Sequence, residues 1–326
     1  MRKYILIFII AIAFISCNKS SFYQNQGSVF GTFYNVIYEA EKDYHNEIVS
    51  LLDSFGRSLS TYDSTSLISK INRNISFDTD TFFRVVFRRA DELAKLTNGA
   101  FDITVAPIVN LWGFGFSKSD EVTDEKIDSL LQFVGYDKVF LDDRIVVKEM
   151  PEVQLDVNAI AKGYSSDVVA DFLKSKGVAN FLVEIGGEIV TNGQNSKGKV
   201  WALGIDKPID DKLVQNRELQ MVVEFSGKAM ATSGNYRNYY IKDGKKYAHT
   251  INPKTGYPVE HNLLSATIIA DDCMTADALA TACMVIGLNE SITLIESIDG
   301  VEALFIYDDN SEMLTYQTTG FSEYVR

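Results

Sequence analysis

Between His45 and Leu59 the apolar residues Ile48, Leu51, Leu52, Phe55 and Leu59 recur every three or four positions, which predicts a helix with one core-facing stripe. Thr81 to Leu96 predicts a second helix, stopped by Asn98-Gly99. Thr123 predicts the cap of a short helix that carries Ile127, Leu130, Leu131 and Val134 and is closed by Gly135. Ser165 to Lys176 predicts another, closed by Gly177. The pattern then changes to short apolar runs between turn residues. Phe181 to Ile185, Val200 to Ile205, Leu219 to Phe225 and Leu264 to Ala270 predict strands. Helices from about Met274 to Ile286 and around Ser291 to Ile298 follow, then strands at Ala303 to Tyr307 and Met313 to Gln317. Helices cluster early and strands late, which favours an α+β arrangement over regular βαβ winding.

The first residues follow a different pattern. Arg2 and Lys3 precede an unbroken apolar run from Tyr4 to Ile15, and Ser16-Cys17 comes next. The run is short for a membrane span, which takes roughly 20 residues, and it suits a secretory signal. A Cys at that place resembles a bacterial lipobox, in which it becomes the lipidated first residue. Phe14 stands where such signals usually carry Leu, and a plain signal peptide with a stray Cys is the alternative. The expected organisation is a signal at residues 1–17, a polar tether at 18–27 and one functional domain at 28–326. The body is then a bacterial lipoprotein, soluble itself and held by Cys17 on the extracytoplasmic side, in the inner or the outer membrane.

Composition narrows the partners. The 326 residues are 46% hydrophobic and 23% charged, the make-up of a globular chain. With 31 Lys+Arg against 44 Asp+Glu, the formal charge is −13. That field repels phosphate backbones and argues against general nucleic-acid binding. A phosphorylated substrate would need local help from a cation or oriented N–H groups. Cys273 and Cys283, ten positions apart on one predicted helix, stand about 15 Å apart along its axis. A disulfide needs Cα atoms within about 7 Å, so both read as buried small hydrophobes.

Four segments hold more polar and glycine content than a core requires. In Leu155-Asp156-Val157-Asn158-Ala159-Ile160-Ala161-Lys162-Gly163 an acid and a lysine open a helix, where free N–H groups favour anions; an ion-paired helix start is the equal alternative. Glu184-Ile185-Gly186-Gly187-Glu188 reads as a tight hairpin or a place of close ligand approach. Ala231-Thr232-Ser233-Gly234-Asn235-Tyr236-Arg237 precedes His249-Thr250-Ile251-Asn252-Pro253-Lys254-Thr255-Gly256-Tyr257-Pro258, a loop dense in turn formers with one of three histidines. In Thr275-Ala276-Asp277-Ala278-Leu279-Ala280-Thr281, Asp277 and Thr281 are four apart and face the same way on a helix. Their oxygens, with a backbone carbonyl and phosphate oxygens, would suit Mg²⁺; a helix-start Asp beside an incidental Thr is the alternative.

In the same order run Gly31-Thr32-Phe33-Tyr34, Ser60-Thr61-Tyr62-Asp63 with Ser66 and Asn72, Gly99-Ala100-Phe101-Asp102-Ile103-Thr104, and Leu111-Trp112-Gly113-Phe114-Gly115. With the four segments above they resemble the ApbE family of FAD:protein FMN transferases, from about Gly31 to Gly287. The resemblance implies an α+β, mixed-sheet, T-fold-like architecture with helices packed on antiparallel-rich sheets. It also implies a chemistry. A Thr hydroxyl of another protein attacks the FMN-side phosphorus of FAD with Mg²⁺ at the pyrophosphate, AMP leaves, and FMN remains in phosphoester linkage. Acceptors would be flavoprotein subunits of extracytoplasmic redox complexes. By position, Asp277, Thr281 and the Ala159 carbonyl match the metal ligands. Phe30, Tyr62, Ala100, Phe101, Asp102, Asp156, Lys162 and Ile251 match FAD-contacting positions, although the family usually has Met where Phe30 stands. His249 matches a histidine needed for activity. Two other functions fit the same residues, an FAD pyrophosphatase giving FMN and AMP, and a non-catalytic FAD-binding lipoprotein.

Overall fold

A computed structural model describes residues 20–115, 121–209, 218–235, 239–242 and 245–326. The signal segment with Cys17, and the motif residues Tyr236 and Arg237, lie outside the described residues. The chain opens with a hairpin of β1 (Ser21–Val29) and β2 (Thr32–Ala40), turned at Phe30 and Gly31, both with positive φ. Residues 21–27, expected as tether, are therefore sheet. An edge strand needs no apolar run, and β1 exposes most of its polar side chains, which is why the pattern missed it.

Helices α1 (His45–Leu59), α2 (Leu67–Asn72) and α3 (Thr81–Leu96) follow. The first and third have the predicted bounds, and Asp80 caps α3 by accepting from the Phe83 N–H at 2.8 Å. Next come α4 (Ala106–Leu111), α5 (Asp124–Leu131) capped by Thr123, and the small hairpin β3 (Val139–Asp142) and β4 (Ile145–Lys148). Helix α6 (Asn158–Ser175) starts seven residues before the predicted Ser165. Then come β5 (Phe181–Ile185), β6 (Glu188–Asn192), the hairpin β7 (Trp201–Asp206) with β8 (Leu219–Phe225), and β9 (Lys228–Gly234). A short pair, β10 (Tyr239–Lys242) and β11 (Lys245–Ala248), leads to β12 (Leu263–Ala270), α7 (Cys273–Ile286), α8 (Leu288–Glu296), β13 (Glu302–Asp309) and β14 (Glu312–Gln317).

Eight strands form the central sheet in the order β1-β2-β5-β6-β9-β12-β13-β14, and every neighbouring pair is antiparallel. One face carries the helices, with Val183 and Ile185 of β5 packed among Ile48, Leu52, Val169 and Leu173. The opposite face carries β7 and β8, with Leu182, Ile189, Met230, Ile269 and Leu304 packed among Trp201, Leu203, Val223 and Phe225. Central strands are thus covered on both sides, which explains why they read as continuous apolar runs rather than alternations. Helix α7 is buried almost all round and sits at the middle of the helical layer, with both free cysteines in its core. No helix among the described residues is long and apolar enough to cross a membrane.

Candidate active site

The site is built where the first turn of α6 crosses α7. Ahead of α6, Asn72 holds the Leu155 backbone on both sides, donating to its carbonyl and accepting from its N–H, each at 2.8 Å. The next residue, Asp156, donates its N–H to the Ile103 carbonyl at 2.7 Å and accepts from the Asn158 N–H at 2.9 Å, which starts the helix. Two loops far apart in sequence are thereby tied together, the one after α3 and the one before α6.

At the crossing, Gly163 has no room for a side chain. A Cβ there would stand 2.2 Å from the Cys273 carbonyl oxygen and 2.8 Å from the Asp277 Cβ. The Gly163 N–H donates to Asp277 Oδ2 at 3.0 Å. In a regular helix that N–H serves the carbonyl four residues back, that of Ala159. Asp277 thus draws on a donor of the first turn of α6, where Ala159 also lines the cavity.

Helix α7 is fixed at its N-terminus by two carboxylates. Asp272 caps it through the Thr275 N–H at 2.7 Å, and Asp167 of α6 accepts from the Cys273 and Met274 N–H groups at 2.8 Å each. Burial pushes the Asp167 carboxyl up to about 7, against the pull of those two donors. Arg89 of α3 adds bonds from its guanidinium to Thr275 Oγ1 at 2.7 and 3.0 Å. So held, α7 presents Asp277 and, one turn on, Thr281, whose hydroxyl is 3.3 Å from that of Ser233 on β9.

Lys162 completes the polar centre. Its Nζ lies 2.5 Å from Glu188 Oε1 and 3.7 Å from Asp277 Oδ1. Burial pulls the ammonium's pKa down, but Asp277 and Glu188 outweigh it and leave the group above its ordinary value, hence charged. Glu188 is pushed up to about 7 by burial, with Lys162 opposing the shift. It reaches this place through the β5–β6 turn at Gly186 and Gly187, both with positive φ, so that segment is a tight hairpin whose last residue pairs with Lys162.

Lys162, Asp277 and Thr281 line a cavity of about 330 Å³. It gathers Tyr62, Ala100, Phe101, Asp102, Asp156, Ala159, Lys162, His249, Ile251, Asp277 and Thr281. Phe30 is the exception. It sits in the β1–β2 turn against Phe55, ring centroids 5.5 Å apart, and is not among the cavity's lining residues. Burial raises the pKa of both Asp102 and Asp156, against hydrogen bonds from Thr104 and Asn158 that lower it. Asp102 is anchored by the Thr104 N–H at 2.8 Å and hydroxyl at 2.7 Å.

The His249–Pro258 loop closes another wall. Ile251 is buried in a cluster with Ile108, Leu111, Trp112 and Ile127, and the Trp112 indole N–H donates to the Gly256 carbonyl at 2.8 Å. Thr250 donates to Asn235 Oδ1 at 2.7 Å. The His249 ring meets Phe114 nearly edge-on, centroids 6.4 Å apart. Sequence reading included Phe114, Ser233 and Glu188 in its motifs without giving them roles; their contacts to His249, Thr281 and Lys162 appear only in three dimensions.

The comparisons agree with one another. The pattern of the ApbE family matches residues 30–305. An FAD:protein FMN transferase of Vibrio cholerae is 35% identical over 337 aligned positions that cover 100% of this chain and 99% of that protein. One of Haemophilus influenzae is 36% identical, covering 96% and 94%. The structure of the flavin transferase ApbE from Vibrio cholerae superposes with a TM-score of 0.85 at 35% identity, covering 94% of this chain and all of that one. The apo form of the Pseudomonas stutzeri flavinyl transferase ApbE gives 0.83 at 32% identity, with 94% and 98% covered. A shared sequence pattern, full-length relatives and a common fold together make this chain a member of the ApbE family.

Proposed function

We propose that this protein transfers the FMN part of FAD to a threonine hydroxyl of an acceptor protein, releasing AMP, with Mg²⁺ at the site. The observation that carries the proposal is the convergence of Ala159, Lys162, Asp277 and Thr281 on one cavity that His249, Tyr62 and Phe101 also line. The names of the relatives supply the substrate and the group transferred.

The donors suit the ion. A carboxylate, a hydroxyl and a backbone carbonyl form a small all-oxygen set, and among the described residues no cluster of three His, Cys, Asp or Glu competes to hold a metal. Mg²⁺ takes one or two protein carboxylates and fills the rest of its sphere with water and phosphate oxygens. Ala159, Asp277 and Thr281 would hold it, and its contribution would be to neutralise diphosphate charge. Lys162 adds a second positive charge on the same wall. Tyr62 and Phe101 offer ring faces to a flavin or adenine. His249 accepts the proton of the attacking hydroxyl as the Thr oxygen bonds to the FMN-side phosphorus. The bridging P–O bond breaks and its electron pair leaves with AMP. Positioning and charge neutralisation dominate such a phosphoryl transfer.

The leader segment supports attachment of the enzyme through Cys17 to the outer side of a bacterial membrane, where it would meet flavoprotein subunits of redox complexes. Intact-mass measurement after mixing protein, FAD, Mg²⁺ and a Thr-bearing acceptor tests the proposal. Acceptor gaining one FMN, and no gain with chelator, is the expected result. Free FMN without labelled acceptor would mark a pyrophosphatase, and FAD binding without turnover would mark a carrier.

A further inference from the structure

Lys162 has two carboxylates to choose from, and it chooses Glu188. Nζ is 2.5 Å from Glu188 Oε1 and 3.7 Å from Asp277 Oδ1. The Glu188 side chain is 5% exposed, and its other oxygen, Oε2, is buried without a hydrogen-bond partner. That is a poor way to stabilise a fold. A buried carboxylate with an unpaired oxygen carries a desolvation cost, and Asp277 alone would give Lys162 a counter-charge. Lys162 is also 36% exposed toward the cavity, so solvent could serve it.

The backbone of Glu188 is held independently of the lysine. The glycine turn aims it inward, and the Ser166 hydroxyl of α6 donates to its carbonyl at 2.9 Å. A Cβ on Gly186 would stand 3.1 Å from Oε2, so the bare glycine leaves the room that the carboxylate takes. The lysine is the mobile partner, an ammonium on a flexible four-carbon stem. Within the reading given above, Asp277 must keep an oxygen available for a divalent cation, and an ammonium settled on that carboxylate would compete with it.

We infer that Glu188 is a positioning residue that holds the Lys162 ammonium off Asp277 and so reserves Asp277 for the cation. It acts through Lys162 and touches neither substrate nor metal.

Binding of Mn²⁺ to the protein without FAD, followed by electron paramagnetic resonance, tests this in the unaltered chain, Glu188→Gln, Lys162→Met and the double variant. Glu188→Gln should weaken Mn²⁺ binding on the order of tenfold, as the ammonium moves to Asp277. In the Lys162→Met background the same change should shift affinity by no more than about twofold. An equal loss in both backgrounds would mean that Glu188 acts by its field alone and would overturn the inference. A crystal structure of Glu188→Gln gives an answer even if Lys162→Met does not fold. Lys162 Nζ within hydrogen-bond distance of Asp277 supports the inference, and Nζ still held at residue 188 refutes it. Absence of Mn²⁺ binding in the unaltered protein would remove the cation reading itself, and this inference with it.

Discussion

Gly163 of α6 and Cys273 of α7 touch backbone to backbone, so closely that a Cβ on Gly163 would overlap the Cys273 carbonyl oxygen at 2.2 Å. This contact seats Asp277 against the Gly163 N–H at 3.0 Å and brings Ala159 into the same corner. Gly163→Ala should therefore force the helices apart, at a cost of about 1–3 kcal/mol typical of overpacking. Urea unfolding would measure that cost. Mn²⁺ titration of the folded fraction should show weakened binding, because the ligands ride on the two helices being separated. Stability and Mn²⁺ affinity both equal to the unaltered protein would show that the crossing is not tight.

His249 lines the cavity beside Phe114 from the loop after β11, whereas Lys162 and Asp277 lie on α6 and α7. Removing it should leave the binding groups in place. His249→Ala should lower FMN transfer by about 10²–10⁴-fold, the usual worth of a positioned general base. FAD affinity in the presence of Mg²⁺, read by fluorescence quenching, should stay within about threefold. Transfer at the unaltered rate would remove the histidine from the chemistry.

If the cation is the link between a chain of charge −13 and an anionic dinucleotide, FAD should stabilise the fold only when the cation is present. At FAD about a hundredfold above its dissociation constant, the gain is roughly 2.7 kcal/mol, visible as a rise in melting temperature. Thr281→Val keeps the side-chain shape and deletes one oxygen, so the Mg²⁺-dependent part of that rise should shrink. An FAD-induced rise of the same size with EDTA would separate flavin binding from the metal.

How much of this was legible beforehand depended on where the information resides. Helices α1 and α3 were readable to the residue because an apolar stripe and nearby stop signals are local properties of the chain. Strand β1 was not, since its partner β2 supplies the order that its own polar residues do not advertise. Strand β9 was masked by its small residues, among them Ala229 and Ala231, which are buried between two layers. The early start of α6 depends on Asp156, which the Ile103 carbonyl holds from another loop. Motif order singled out the candidate residues, and all of the described ones but Phe30 line one cavity. Phe30 stands in the β1–β2 turn against Phe55, a placement its motif position does not specify. The pairing of Lys162 with Glu188 was invisible because the two are 26 positions apart and meet only when the β5–β6 turn folds back on α6.

Asp167 gives the fold a pH dependence with a definite sign. Burial raises its carboxyl to about 7 in the folded protein, whereas an unfolded chain releases that proton near pH ~4. Across this interval the folded state holds more protons than the unfolded one, so this group makes stability fall as pH rises, with the loss complete above about 7. The slope is at most about 1.4 kcal/mol per pH unit. Asp167→Asn keeps one acceptor for the Cys273 and Met274 N–H groups but cannot titrate. Other titrating groups, Glu188 included, occur in both proteins and cancel to first order in the difference. Urea unfolding of the two between pH 4 and 8 should therefore show the unaltered protein losing ground to the variant until about pH 7, then a constant gap. A gap independent of pH would mean that Asp167 ionises as freely in the fold as in water, and that the α7 N-terminus is held by a fully charged carboxylate throughout.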